Sequence, residues 1–441
     1  MIQLSDHFTF RKLLRFTLPS MIMLVFTSVY IVVDGFFVSN FVGKTPFTAV
    51  NFIMPFLLIL GCVGFMFGTG GGALIAKTIG EGNHEKANQI FSLLVYVSIG
   101  VGLFLGAFGI LFLRPIAAAL GGTGQLLEDS VTYGTIYLLA TPAYVVQYEF
   151  QCLFATAEKP NLGLYTTVAA GLTNIILDAV FVVGFSWGLS GAAAATALSQ
   201  CVGGIIPLVY FGRKNSSLLR LTKTTFDGKA LLKICLNGSS ELLNNISMSI
   251  VGILYNIQLL KYAGEDGIAA YGVLMYLNLI FLAVFFGYSI GTAPIVSYHF
   301  GAQNHQELKG LLRKSFVILG VFSFVMFVAA ELLGKPLSIL YVGYDKGLLD
   351  ITLRAFLIYS FSFLFSGFSI FGSSFFTALN NGPISALLSV LRTLVFQIAA
   401  VLLLPLIWEL DGIWLSIVAA EALALVATVI CMLCERKKYH Y

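Results

Sequence analysis

Charge is scarce in this 441-residue chain: Asp, Glu, Lys and Arg make up 10% of it, against 58% hydrophobic residues and a mean hydropathy of +0.91. Soluble domains carry about 25% charged residues, so the polar surface needed to coat a globule in water is missing. That excludes a soluble enzyme and a disordered scaffold and leaves a polytopic membrane protein. A concentrated basic patch is also missing. The formal net charge is +4, with Lys and Arg set between apolar runs, so no nucleic-acid partner is expected. The six cysteines (Cys62, Cys152, Cys201, Cys235, Cys431, Cys434) lack the spacing of a disulfide framework and read as packing residues. Cys431 and Cys434 lack further ligands for a metal. No Gly-Lys-Ser/Thr follows Gly68-Thr69-Gly70-Gly71-Gly72, so that stretch is read as close helix packing or an unwound segment, not a phosphate loop. A cleavable signal peptide is not expected, because the basic residues through Arg15 lead straight into a full-length apolar run.

What the chain does have is long apolar runs. A bilayer core of about 30 Å needs roughly 20 apolar helical residues. Twelve runs qualify, at about 13–40, 50–76, 89–113, 131–156, 162–185, 189–211, 233–262, 271–299, 312–333, 352–378, 384–407 and 412–434. They are continuous and lack the period-two alternation of a barrel wall, so an all-α protein of twelve transmembrane helices is predicted. Counting Lys and Arg between runs puts eighteen of the 25 on the side that holds both termini, including the basic connection between runs 6 and 7. The positive-inside rule then places the N- and C-termini in the cytoplasm, with the chain multi-pass in the cell membrane.

The second half repeats the first at an offset of 221. Gly43 falls on Gly264, Gly70 on Gly291, Gly80 on Gly301, Asn83-His84 on Asn304-His305, Pro115 on Pro336, Thr156-Ala157 on Thr377-Ala378 and Trp187 on Trp408. Six spans per unit insert both halves with one orientation, related by a pseudo-twofold axis along the membrane normal. The expected division is a first lobe over 1–211, a cytoplasmic linker over 212–232 and a second lobe over 233–441. Two lobes about a central cleft are a transporter architecture. A channel would show a filter-like segment, and a membrane enzyme would show clustered polar residues in its loops; neither is present.

Ionisable groups in the hydrocarbon region cost at least about 2.5–3.5 kcal/mol each, so the few present are functional candidates. Asp34 on span 1 and Asp178 on span 5 lie at similar depth in the first lobe, and Asn174 is one helical turn from Asp178. Two carboxylates and an amide make a site for a proton or a small hard cation such as Na⁺. In low dielectric two such acids cannot both stay ionised cheaply, so they titrate as a unit. Either acid could instead merely hydrogen-bond broken backbone. Glu241, with Asn244 and Asn245 beside it on span 7, could attract a cationic substrate or pair with the basic linker. Arg392 on span 11 reads as half of a structural ion pair, with Glu149 or Glu421. Gln200 and Glu421 are repeat partners and cleft-facing candidates. Pro19 removes a hydrogen bond from span 1 where a bend could form.

These spans, together with Val33-Asp34-Gly35-Phe36-Phe37-Val38, Asn174-Ile175-Ile176-Leu177-Asp178, Gly191 through Thr196 and Thr377-Ala378-Leu379-Asn380, resemble the multidrug and toxic compound extrusion (MATE) transporters. The resemblance covers about residues 10–434. It implies export of amphipathic, mostly cationic organic compounds by antiport against H⁺ or Na⁺, with no other cofactor and no enzymatic activity. V-shaped lobes would open alternately to the two sides. The implied first-lobe cation site falls on Asp34, Asn174, Asp178 and Thr196, with Tyr133 as the span 4 tyrosine and Pro19 as the bending proline of helix 1. One branch of the family adds acids on helices 7 and 10. Span 10 has none here, which favours coupling through the first lobe. A functional monomer in the lipid bilayer is expected. The alternatives are a flippase or exporter of a lipid-linked or anionic substrate from the same superfamily and, from another class, a non-transporting membrane sensor or receptor.

Overall fold

Apolar runs that face lipid must satisfy every backbone N–H and C=O internally, which leaves the helix as the solution for a continuous run. The computed structural model describes residues 2–441, position 44 by its backbone alone, and shows no strand among them. Each helix begins and ends at a chemically legible point. Helix α1 (Phe10–Phe37) starts at Thr9, whose hydroxyl accepts the Lys12 N–H. A π-helical turn (Val38–Val42) extends it before Gly43, at φ 120°, turns the chain into α2 (Lys44–Gly80). Helix α3 (His84–Ala119) is capped by Asn83, which accepts the Lys86 N–H.

Span 4, expected as one run, is two helices, α4 (Gly124–Leu139) and α5 (Thr141–Thr156). Pro142, in the first turn of α5, has no N–H with which to continue the ladder across Ala140. Span 5 is α6 (Pro160–Asp178) followed by a second π-helical stretch (Ala179–Gly184), and span 6 is α7 (Gly188–Gly212). Spans 7 and 8 are the two legs of α8 (Gly228–Gly301), which join at Gly264, whose φ of 63° reverses the chain. Then come α9 (His305–Val342), α10 (Lys346–Tyr359) leading through a 3₁₀ turn into α11 (Phe363–Ala378), and α12 (Gly382–Val390). A third π-helical turn (Leu391–Val395), α13 (Phe396–Leu403) and α14 (Pro405–Tyr439) complete the chain. Ten helices among the described residues are long and apolar enough to cross a bilayer. The double pass of α8 and the α4–α5 pair bring the crossings to twelve, in two six-helix lobes.

The repeat is real, but its register is not constant. Asn83 and Asn304 cap α3 and α9 alike, at an offset of 221. Between the next outer connection and the following base turn the offset is 222: Ala157 and Leu379 terminate α5 and α11, and Glu158 and Asn380 follow at φ 57° and 58°, before Gly188 and Glu409, at φ 58° and 47°, return it to 221. The match of Thr156-Ala157 with Thr377-Ala378 is therefore one residue out of structural register. The extra residue enters before α10, whose N-cap is Asp345 where α4 has Thr123.

Both termini lie at one end of the bundle, hereafter the base. Phe8 packs on His299, and the Tyr439 ring on Phe300. The connection between lobes is non-helical only over 213–227, since α8 starts five residues before the expected boundary, where Asp227 accepts the Lys229 and Ala230 N–H groups at 3.0 Å. It lies against the first lobe, with Thr222 N–H on Ser92 Oγ (2.8 Å) and Ser217 Oγ on the Ala157 carbonyl (2.9 Å).

The lobes are closed on each other at the base. A Cβ on Gly70 would fall 2.2 Å from the Ile234 carbonyl, and one on Gly238 would fall 1.9 Å from that of Met66. Only glycine permits so close an approach of α2 to α8. Residues 2–9 add a strap. The Leu4 N–H reaches Glu158 of the first lobe at 2.6 Å, and the Phe8 N–H reaches Glu307 of the second at 2.9 Å. His7 Nδ1 also meets Glu307, at 2.6 Å.

Candidate ion site and central cleft

Three helices bring the first-lobe acids together. Asp34 is in the last turn of α1 and Asp178 closes α6, and each helix runs straight on into a π-helical stretch. Such wide turns re-aim side chains and recur at functional sites. Asp178 and Asn174 are buried, and Asp34 is half-buried. The Asp34 carboxylate lies against Asp178, Asn174 and Thr196. The Thr196 hydroxyl is 3.4 Å from Asp34 Oδ1 and 3.1 Å from the Ala192 carbonyl, and Asn174 Nδ2 donates to Thr196 Oγ1 at 3.5 Å. Among the described residues neither Asp178 oxygen, nor Asn174 Oδ1, has a donor, and the buried Tyr133 hydroxyl is unbonded although it faces Thr196. Two carboxylates turned toward each other with spare acceptors around them can be relieved by one shared proton or by one cation.

Beside this site runs a cleft of about 510 Å³ between the lobes, lined mostly by apolar side chains of α1, α2, α5, α8 and α11. Glu241 and Asn244 line it, and Glu241 makes no ion pair among the described residues. The linker therefore does not neutralise it, and it is the carboxylate of the cleft wall. Four tyrosines on α4 and α5 connect the two places. Tyr133 stacks on Tyr137 (6.2 Å), Tyr137 meets Tyr144 edge-on (5.4 Å), and the Tyr144 hydroxyl donates to that of Tyr148 at 3.0 Å. Tyr148 lines the cleft and stacks on Phe65 at 4.2 Å. The sequence reading missed this ladder, although its signal is a run of tyrosines at helical spacing on one span.

Other candidates fall elsewhere. Gln200 is buried inside the first lobe, with Oε1 unbonded among the described residues, and does not line the cleft. Arg392 pairs with Glu421, its Nε 3.0 Å from both carboxylate oxygens. The pairing with Glu149 is excluded, because Glu149 sits in the other lobe facing Ser98, buried and without a hydrogen bond among the described residues. Glu421 lies behind the cleft wall in a smaller pocket. Pro19 is buried in α1, which stays helical through it, immediately before Ser20 and Met21 where they contact Gly287. The glycines of 68–72 serve close packing, with Gly68 on the Glu149 carbonyl and Gly71 on Leu94.

Comparison with known proteins agrees with this architecture. The chain is 26% identical over 365 residues to the multidrug export protein MepA of Staphylococcus haemolyticus (strain JCSC1435), covering 81% of this chain and 80% of that protein. It is 25% identical over 429 residues to MepA of Staphylococcus aureus (strain MRSA252), covering 96% and 93%. It superposes with TM-score 0.91 on an outward-facing multidrug resistance MATE family transporter of the MOP superfamily, at 21% identity over 98% of this chain and 97% of the other, which shows a common fold. A model of the MatE family matches twice, once in each lobe, at residues 19–180 and 242–403. On that double match the chain belongs to the MatE family.

Proposed function

We propose that this protein exports amphipathic, mostly cationic organic compounds in exchange for H⁺ or Na⁺, by alternating access of its two lobes. The carrying observation is the Asp34–Asp178 pair beside a large apolar cleft, with the base of that cleft shut. The relatives named as multidrug export proteins, alike over nearly the whole chain, support the same reading. The basic end that holds both termini is the cytoplasmic one by the positive-inside rule, and the chain works as a monomer in the cell membrane. The open side of the cleft then faces out.

In this reading Asp34 and Asp178 hold the coupling ion, with Asn174 and Thr196 as neutral donors and acceptors and Tyr133 closing the site. The empty pair is under mutual repulsion, which an entering proton or Na⁺ removes. A cation bound near Glu241 gains from its carboxylate and from aromatic faces such as Phe65 and Tyr148. Filling the ion site relaxes the end of α1, and the tyrosine ladder carries that change to the cleft wall. The test is ethidium transport in everted vesicles with proton and sodium gradients imposed separately. Asp34→Asn should abolish gradient-driven uptake while the protein stays inserted, and unchanged uptake in that variant would overturn the coupling role.

A further inference from the structure

The second lobe carries no acid where the first has its pair. Tyr255 occupies the place of Asp34, at the same offset of 221 that relates Gly43 to Gly264. It donates to Gln397 Oε1 at 2.8 Å and stacks on Tyr271 at 5.5 Å. Around them is a side pocket of about 100 Å³ that shares Met275, Asn278 and Phe286 with the central cleft, so the two spaces adjoin. At its back stands Arg392, 8% exposed, re-aimed by the π-helical turn Leu391–Val395.

Arg392 is only partly used. Its Nε donates to Glu421, but neither terminal nitrogen has a hydrogen bond among the described residues. A guanidinium offers five N–H donors in a planar fork. Arg392 lines the pocket and its terminal nitrogens are not among the buried unpaired atoms of the described residues, so four N–H donors are within reach of an acceptor that enters. A carboxylate matches the fork and takes two charge-assisted bonds from it. Gln397, its oxygen held by Tyr255, leaves its amide nitrogen as a further donor on the same wall.

We propose that this side pocket receives the anionic group of zwitterionic substrates: a carboxylate on Arg392, with the aromatic cation it is attached to lying in the central cleft. The inference rests on the efflux reading above and names a substrate class within it. The first lobe then holds the ion on its two acids, and the second holds the substrate's anion on the free face of a guanidinium whose Nε is paired with Glu421.

The test compares two dyes that differ in one carboxylate, rhodamine 110 (a zwitterion) and rhodamine 123 (its methyl ester, a cation), in everted vesicles. The reading is the ratio of their KM values. Arg392→Gln should raise KM for rhodamine 110 relative to that for rhodamine 123 at least tenfold. Glu421→Gln, which removes the competing acceptor, should lower the ratio. The double variant R392Q/E421Q leaves no lone charge and guards against misfolding. It should show the ratio of Arg392→Gln. Ratios unchanged in all three, or no transport of rhodamine 110 where rhodamine 123 is transported, would overturn the side pocket alone. Failure of the unsubstituted protein to move either dye would overturn the efflux reading itself.

Discussion

Gly80 and Gly301 are reciprocal partners across the base of the molecule. A Cβ on Gly80 would lie 2.1 Å from the Tyr298 carbonyl, and one on Gly301 would lie 2.1 Å from that of Lys77. Positions 77 and 298, like 80 and 301, are repeat equivalents, so the contact is one self-complementary surface used twice about the pseudo-twofold axis. Gly291 on Thr17 and Gly70 on Gly238 repeat the arrangement one level further in.

The first prediction concerns this seam. Gly80→Val or Gly301→Val adds side-chain bulk against backbone, an overpacking that costs about 1–3 kcal/mol and falls only on the closed base. Both variants should shift the population toward an open base and slow transport at least tenfold. Spin-label distances across the base read the shift directly. An unchanged distance distribution with normal transport would mean that closure does not depend on the glycines.

A second prediction separates a coupled pair from two independent acids. Asp34→Asn and Asp178→Asn should each remove gradient-driven transport, and the double variant should be no worse than either single one. Carboxylates that share one ion act as a unit, so their losses do not add. Losses that multiply would count against a shared site.

The strap gives a third. Glu307 accepts the Phe8 N–H and meets His7, while Lys314 reaches the Phe8 carbonyl. Glu307→Ala removes the anchor on the second lobe and should free residues 2–9. Limited trypsin digestion should then cut after Arg11 or Lys12 at least tenfold faster than in the unsubstituted protein. Equal cleavage rates would show that the apolar seats of Leu4 and Phe8 hold the strap without Glu307.

The Arg392–Glu421 pair yields a fourth. Truncating one partner leaves a buried charge uncompensated, at a cost of about 3–5 kcal/mol, whereas replacing both by apolar residues is close to neutral. Arg392→Ala should therefore lower the melting temperature in detergent, and Arg392→Met combined with Glu421→Leu should restore most of it. A double variant as unstable as the single one would locate the loss in packing instead of charge.

Several features were legible in the residues because they follow from local rules. The scarcity of charge gave the membrane, the apolar runs gave twelve crossings, and Gly43/Gly264 and Asn83/Asn304 gave the repeat. Asp34, Asn174 and Asp178 stood out because few acids sit in apolar spans and two share a depth. Which partner Arg392 takes was not legible, because Glu149 and Glu421 are equally plausible until the lobes are assigned in space. Nor was the placement of Gln200, since which face of a span looks into the cleft depends on how six helices pack.

The repeat shows where the boundary lies. Sequence identity put Thr377-Ala378 opposite Thr156-Ala157, but helix ends and positive-φ residues set the true register one position later. Identity of small residues carries little information in so apolar a chain, whereas caps and left-handed turns mark where helices must stop. By itself the sequence determined solvent, span count, duplication and the acids worth attention, all of which depend on composition and on the fixed thickness of a bilayer. Tertiary structure alone decided the closed base, the tyrosine ladder, the Arg392–Glu421 pair and the side pocket beside the cleft. Each of those depends on side chains from different helices meeting at a few ångströms, a relation that no single span encodes.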